Sequence, residues 1–77
     1  MIPTLKQRFI RYMVAQYKQL TEKEIDQKIE SAIDRVADNT EYSKDVLTEV
    51  KEQMLEEGYA KARILAHLNI IDIAERT

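Results

Sequence analysis

The stretch from Ser43 to Ile70, SKDVLTEVKEQMLEEGYAKARILAHLNI, contains the clearest helix signals in the chain. Ser43 suits a helix N-terminus, because its hydroxyl can accept a hydrogen bond from a backbone N–H that the first turn leaves unpaired. Apolar residues then recur three and four positions apart, as on one face of a helix, up to Gly58, the only glycine. Glycine readily adopts the left-handed conformation that ends many helices. We therefore expect a helix on each side of Gly58, and we expect this stretch to lie deepest in the fold.

Two earlier segments also begin with helix signals. Thr4 with Gln7, and Thr21 with Glu24, have the spacing of capping boxes, in which two side chains satisfy backbone groups of the first turn. The predicted fold is all-α: a small bundle of four short helices, or five if Asn69 divides the last segment. Because the first connection is short, helices one and two are expected to be antiparallel neighbours. The predicted core consists of Phe9, Tyr12, Met13, Ile25, Ile29, Ile33, Val36, Val50, Met54, Ile64 and Leu68.

Length and composition limit the class of protein. We expect residues 1–77 to form one small helical domain. A chain of this size buries only roughly 60–65% of its unfolded surface, so we expect its stability to be modest or to be helped by self-association. The absence of cysteine excludes disulfides and thiolate chemistry and is typical of a reducing, cytoplasmic location. No apolar run approaches the ~18 residues that cross a bilayer, so no membrane association of that kind is expected.

Charge is distributed unevenly along the chain. Residues 1–20 contain four basic residues and no acid, whereas residues 21–57 contain twelve acids and five bases, a net charge of −7. The acids recur at helical spacing in the second and third predicted helices. This pattern predicts an acidic surface that docks a protein partner with a basic surface, or one that imitates a nucleic-acid backbone. The alternative is a solvated surface with no partner. The predicted partner-binding residues are Glu22, Asp26, Glu30, Asp34, Glu49 and Glu52.

The sequence argues against an enzyme. His67 is the only histidine, and no cysteine or second histidine is present to share a metal with it. No serine or cysteine has the spacing of a nucleophile elbow. Acidic pairs are abundant, but nothing distinguishes one pair from another, and four short helices leave little room for a substrate cleft. We therefore predict a small non-enzymatic regulatory or adaptor protein without a cofactor or metal.

Residues 57–70, EGYAKARILAHLNI, resemble the first helix and turn of a helix-turn-helix DNA-binding motif. The resemblance implies that a second helix, residues 71–77, would enter the major groove. It also implies that Lys61, Arg63 and His67 would face the phosphates, so that residues 58–77 form a DNA-binding regulator. Leu65 departs from the motif, which usually has a small residue there, and Asp72 and Glu75 would oppose phosphates.

Two other surfaces remain open to interpretation. The first helix presents a broad apolar arc that includes Leu5, Phe9 and Tyr12, with bases opposite; this arc can face the core or lie on a membrane surface. The last segment has two apolar rows, which is typical of a helix buried on both sides. A homodimer that buries residues 59–77 is the simplest way to cover the second row.

Overall fold

The computed structural model describes residues 4–76, except for the side chains of Lys6, Glu75 and Arg76. Within this range the chain forms four α-helices: α1, Leu5–Tyr17; α2, Glu22–Asn39; α3, Lys44–Glu56; and α4, Lys61–Arg76. The predicted all-α architecture of four helices is confirmed. Asn69 lies inside α4, which continues without interruption, so the last segment is one helix and not two.

The predicted helix starts are all present. Thr4 accepts a hydrogen bond from the backbone N–H of Gln7 at 3.2 Å, and the Gln7 side chain accepts one from the Thr4 N–H at 3.0 Å. Thr21 and Glu24 form the same reciprocal pair at 3.2 Å each. Ser43 Oγ accepts from the Val46 N–H at 3.3 Å. Local sequence therefore determines where α1, α2 and α3 begin.

Gly58 ends α3 as predicted. Its φ angle of 90° lies in the left-handed region, which a residue with a side chain rarely adopts. The Tyr59 N–H donates to the Met54 carbonyl and the Gly58 N–H to the Leu55 carbonyl, both at 3.1 Å. This pair of bonds is the Schellman motif, and it turns the chain out of α3 toward α4.

The core lies between α4 and α2, which make the most extensive contact in the bundle; α1 packs mainly on α4, and α3 mainly on α2. Six predicted core residues are buried, whereas Met13, Val50 and Met54 are only half-buried. The expectation that residues 43–70 lie deepest holds for α4, but α3 contributes only Leu47 to the fully buried set that the structure describes. The buried apolar residues are Ile25, Ile29, Ala32, Ile33, Val36, Leu47, Ala62, Ile64, Leu65, Ala66 and Leu68.

The predicted orientation of α1 is wrong. Phe9 and Tyr12 were expected in the core, but they are 39% and 64% exposed. The half-buried side of α1 contains Met13, which the predicted core included, together with Ile10, Val14 and Tyr17, which it did not include. Each residue turns about 100° around the helix axis, so the two apolar stripes are adjacent and the sequence does not say which one packs. The packed stripe faces α4, and α1 is not the antiparallel packing partner of α2 that the short connection predicts.

Candidate functional site

The acidic row of α2 is held in ion pairs within the protein. Lys61 Nζ, on the first residue of α4, lies 3.1 Å from Glu22 Oε1 and 2.8 Å from Asp26 Oδ1. Two lysines of α3 continue the series: Lys51 lies 3.1 Å from Glu30 and Lys44 lies 2.7 Å from Asp34. Four of the six predicted partner-binding carboxylates are therefore partly neutralised by the fold itself.

These carboxylates favour the charged forms of Lys44 and Lys61. The hydrogen bond with Asp34 raises the pKa of Lys44 above its ordinary value, and the hydrogen bonds with Asp26 and then Glu22 do the same for the pKa of Lys61. Sequence reasoning missed this pairing. The available signal was the seven-residue spacing of Lys44 and Lys51, which places both on one side of α3.

The acidic row of α3 is different. Asp45, Glu49, Glu52 and Glu56 have no ion pair within the part of the chain that the structure describes. At about 100° per residue these four positions fall within an arc of roughly 60°, centred almost opposite the buried Leu47. Glu49, Glu52 and Glu56, together with Gln53, line one shallow depression. Of the predicted acidic residues, Glu49 and Glu52 are thus the ones that remain available.

Apolar side chains flank the α3 row. Val46 is 44% exposed on one side and Leu55 is 40% exposed on the other. The face therefore combines a central line of negative charge with two partly exposed apolar margins. Such a combination can attract a cationic surface and also bury apolar area against it.

The residues of the DNA-binding interpretation do not share one face. Lys61 and Arg63 are two positions apart on α4, which separates them by about 200° around the helix. Lys61 is engaged by two carboxylates, and the Arg63 guanidinium lies 5.6 Å from the centre of the Tyr59 ring. His67 is half-buried and takes part in contacts of its own. In addition, α4 continues through the position where the motif requires a turn between two helices.

A groove between α1 and α4 was not anticipated. It is lined almost entirely by apolar side chains and has a volume of about 650 Å³. On the α1 side Leu5 is 83% exposed, and on the α4 side Ile73 is 47% exposed. The groove exists because α1 is rotated so that Phe9 lies outside the core. The lining residues are Leu5, Phe9, Ile70, Ile73 and Ala74.

A smaller, polar pocket of about 200 Å³ lies where α1, α2 and α4 meet. Arg35 bridges two helices there: its Nη2 donates to Asn69 Oδ1, and its Nε lies 3.5 Å from the buried carboxylate of Asp72. Asn69 Nδ2 in turn donates to Tyr17 Oη at 2.8 Å. This network also was not predicted, because no local pattern relates these four residues. The lining residues are Tyr17, Lys28, Ser31, Arg35, Leu65 and Asn69.

Neither a metal site nor a membrane-crossing segment is found in the described range. Among the side chains that the structure describes, no three histidine, aspartate or glutamate residues are grouped so that they could hold a metal ion. The described helices also lack the combination of length and apolar character that is needed to cross a bilayer. No protein-family model, curated protein or solved structure matches the chain.

Proposed function

We propose that this protein is a non-enzymatic regulatory or adaptor protein that binds a basic protein surface through the acidic face of α3. The observation that supports this proposal is the contrast between the two acidic rows. The α2 row is matched by lysines of the same chain, whereas Asp45, Glu49, Glu52 and Glu56 are not matched within the described residues. We therefore centre the proposed site on Glu49 and Glu52, with Glu22, Asp26, Glu30 and Asp34 in a supporting, structural role.

Repulsion within the α3 row favours binding of a cationic partner. Like charges three and four residues apart destabilise a helix by a few tenths of a kcal/mol per pair. A cationic partner removes that repulsion on binding, and the field of four carboxylates accelerates the encounter. The exposed parts of Val46 and Leu55 can then be buried at the margins of the contact. A nucleic-acid-binding protein is one class of partner with the required positive surface. We place this function in the cytoplasm because the chain lacks cysteine.

The test is a selection of peptides that bind the full chain from a random display library. We expect enrichment of lysine- and arginine-rich peptides that also carry apolar residues. The double variant Glu49→Lys/Glu52→Lys should weaken their binding about tenfold, which corresponds to roughly 1.4 kcal/mol. The matched control is Glu41→Lys/Glu57→Lys, which changes the net charge equally but outside the α3 arc.

The control should retain most of the affinity. Equal weakening by both double variants would show that only net charge matters, and selection of neutral or acidic peptides would contradict the proposal. Binding of the full chain to duplex DNA tests the alternative function. Duplex binding that falls steeply with salt, and is lost in Arg63→Glu, would support a DNA-binding regulator that uses residues 58–77.

We also propose that the chain forms a homodimer through the groove between α1 and α4. The supporting observation is the exposed apolar surface of Leu5, Phe9 and Ile73. Light scattering across concentration should then show a dimer that resists salt, because apolar contacts are not screened. Ile73→Glu should give a monomer, whereas Val46→Glu, at a similarly exposed residue on α3, should leave the dimer intact. A monomer at every concentration would disprove this proposal without affecting the α3 proposal.

A further inference from the structure

We propose that the polar pocket between α1, α2 and α4 binds a phosphate-sized oxyanion, either free phosphate or the phosphoryl group of a small phosphate monoester. The site is separate from the acidic face of α3 and does not depend on it. The groups that would contact the anion are the Tyr17 hydroxyl, the Lys28 ammonium, the Ser31 hydroxyl and the Arg35 guanidinium.

The pocket is formed mainly by one face of α2. Lys28, Ser31 and Arg35 are three, four and seven residues apart, and these spacings place them on one side of the helix. This side lies away from the acidic row, whose members pair with Lys44, Lys51 and Lys61. The helix therefore presents carboxylates toward α3 and α4 and cations toward the pocket at α1.

The guanidinium is held in place before any ligand arrives. Asp72 is only 6% exposed and lies 3.5 Å from Arg35 Nε, and the Asn69 amide accepts from Arg35 Nη2. Arginine has five N–H donors in a fixed plane, and these contacts use the Nε side and one Nη2 hydrogen. The Nη1 hydrogens and the second Nη2 hydrogen remain available for an anion. Rigid placement of a donor reduces the entropy that binding costs.

The other polar groups of the pocket are also donors toward it. Tyr17 Oη already accepts from Asn69, and its own hydrogen has no acceptor among the described residues. Lys28 has no ion pair within the described range, although Glu24 one turn earlier interacts with it at longer distance. The lining residues include no carboxylate. The lining residues themselves contribute two positive charges, Lys28 and Arg35, while Asp72 and Glu24 lie outside the lining.

The pocket also has room for a small oxyanion. Its accessible volume of about 200 Å³ is well above the ~10–15 Å³ that one water molecule needs. A tetrahedral oxyanion accepts several hydrogen bonds in different directions, as this set of donors requires, and a guanidinium can bind two of its oxygens at once. The competing interpretation is that Arg35 only bridges α2 and α4 and that the pocket holds water.

The test is an NMR titration of the ¹⁵N-labelled full chain with inorganic phosphate, compared with sodium chloride at equal ionic strength. The expected result is a saturable shift confined to the amides near residues 28–35 and 65–69, with a Kd of roughly millimolar order. Lys28→Gln should weaken this binding about threefold or more. The matched control is Lys23→Gln, which removes the same charge from the same helix outside the pocket and should leave the affinity unchanged.

A second titration, with glycerol 3-phosphate, tests whether the phosphoryl group belongs to a small ester. Saturable binding of inorganic phosphate or of glycerol 3-phosphate supports the oxyanion site, and the ligand that binds more tightly identifies the source. Tyr17→Phe removes one donor but keeps the ring that packs against the core, so it should also weaken binding. The unfolding midpoints of Tyr17→Phe and Lys28→Gln check that both variants remain folded. Three results would overturn the proposal. The shifts could fail to saturate, or Lys23→Gln and Lys28→Gln could have equal effects. In a parallel measurement, the chain could bind vesicles that contain phosphatidic acid but neither of the two soluble ligands.

Discussion

Lys61 Nζ lies 2.8 Å from Asp26 Oδ1 and ties the first residue of α4 to α2. The same ammonium lies 3.1 Å from Glu22 Oε1, one turn earlier on α2. The side chain of Lys61 is 31% exposed, whereas both carboxylates are more than half exposed, so the contact lies at the protein surface. The lysine that the helix-turn-helix interpretation directs at DNA phosphates is thus bound to carboxylates of its own chain.

We expect Lys61→Glu to destabilise the fold, because it replaces two attractions with two repulsions at the junction of α2 and α4. The pKa of Lys61 is raised by its hydrogen bonds with Asp26 and Glu22. A raised pKa means that this contribution is complete below the ordinary lysine pKa and is lost as pH rises through the folded-state value. Urea denaturation at neutral pH should therefore show a lower midpoint in the variant, and the difference should shrink in strong alkali.

Arg63→Glu is the matched control for this prediction. Arg63 lies on the same helix and is exposed, and its described neighbour is the Tyr59 ring rather than a carboxylate. The same charge reversal there should change the midpoint less than it does at Lys61. An equal effect at both positions would show that the overall charge of α4, and not the contact with Asp26, sets the stability.

Local features of this fold were predictable because they depend on residues close in sequence. Thr4 with Gln7, and Thr21 with Glu24, form the capping boxes that their spacing predicts, and Gly58 ends α3 at a positive φ. The buried face of α2 also follows from its isoleucine spacing. In each instance the local sequence pattern is compatible with only one structure.

Features that depend on the relative positions of helices were not predictable. The apolar side of α1 is broad enough to pack in two ways, and only the contact with α4 selects Val14 and Tyr17 over Phe9 and Tyr12. The acidic row of α2 looked like a free surface because its lysine partners lie 10 to 39 residues away along the chain. The network of Arg35, Asn69 and Tyr17 joins three helices for the same reason.

The corrected core can be tested with two truncations. Ile64 is fully buried in α4, so Ile64→Ala should lower the free energy of unfolding by about 2–5 kcal/mol through lost burial and a residual cavity. Tyr12 is 64% exposed, so Tyr12→Ala should change it by only about 0.5 kcal/mol. Urea unfolding of both variants measures the difference. If Tyr12→Ala lowers the free energy of unfolding as much as Ile64→Ala does, the predicted orientation of α1, with Tyr12 in the core, is correct.

A substitution at Gly58 isolates the contribution of backbone conformation. A methyl group added there would meet no atom within 4 Å, so Gly58→Ala introduces no clash. It does force alanine into the left-handed region at φ 90°, which costs about 1–2 kcal/mol. Gly58→Asn should cost less, because asparagine tolerates this conformation better. If the two variants are equally stable by thermal denaturation, the end of α3 must rearrange in both.

The Thr21–Glu24 capping box should make the stability of α2 depend on pH. The Thr21 hydroxyl donates to the Glu24 carboxylate at 2.8 Å, and the Thr21 backbone N–H donates to it at 3.2 Å. Both bonds favour the ionised form and lower the pKa of Glu24 below its ordinary value. A lowered pKa in the folded state means that the contribution is complete above the ordinary glutamate pKa and is lost as pH falls through the folded-state value.

Glu24→Gln separates this charge effect from the geometry of the cap, because glutamine can also accept at the third helical position. The wild type should be more stable than the variant at neutral pH, and the difference should vanish in acid. A carbon-detected NMR titration of Glu24 tests which hydrogen bond lowers its pKa. Thr21→Val should raise the pKa of Glu24, because it removes the hydroxyl that donates the shorter hydrogen bond to the carboxylate. An unchanged titration midpoint in that variant would mean that the carboxylate is stabilised by the backbone N–H and by Lys28, and that the threonine side chain serves only to accept the Glu24 N–H.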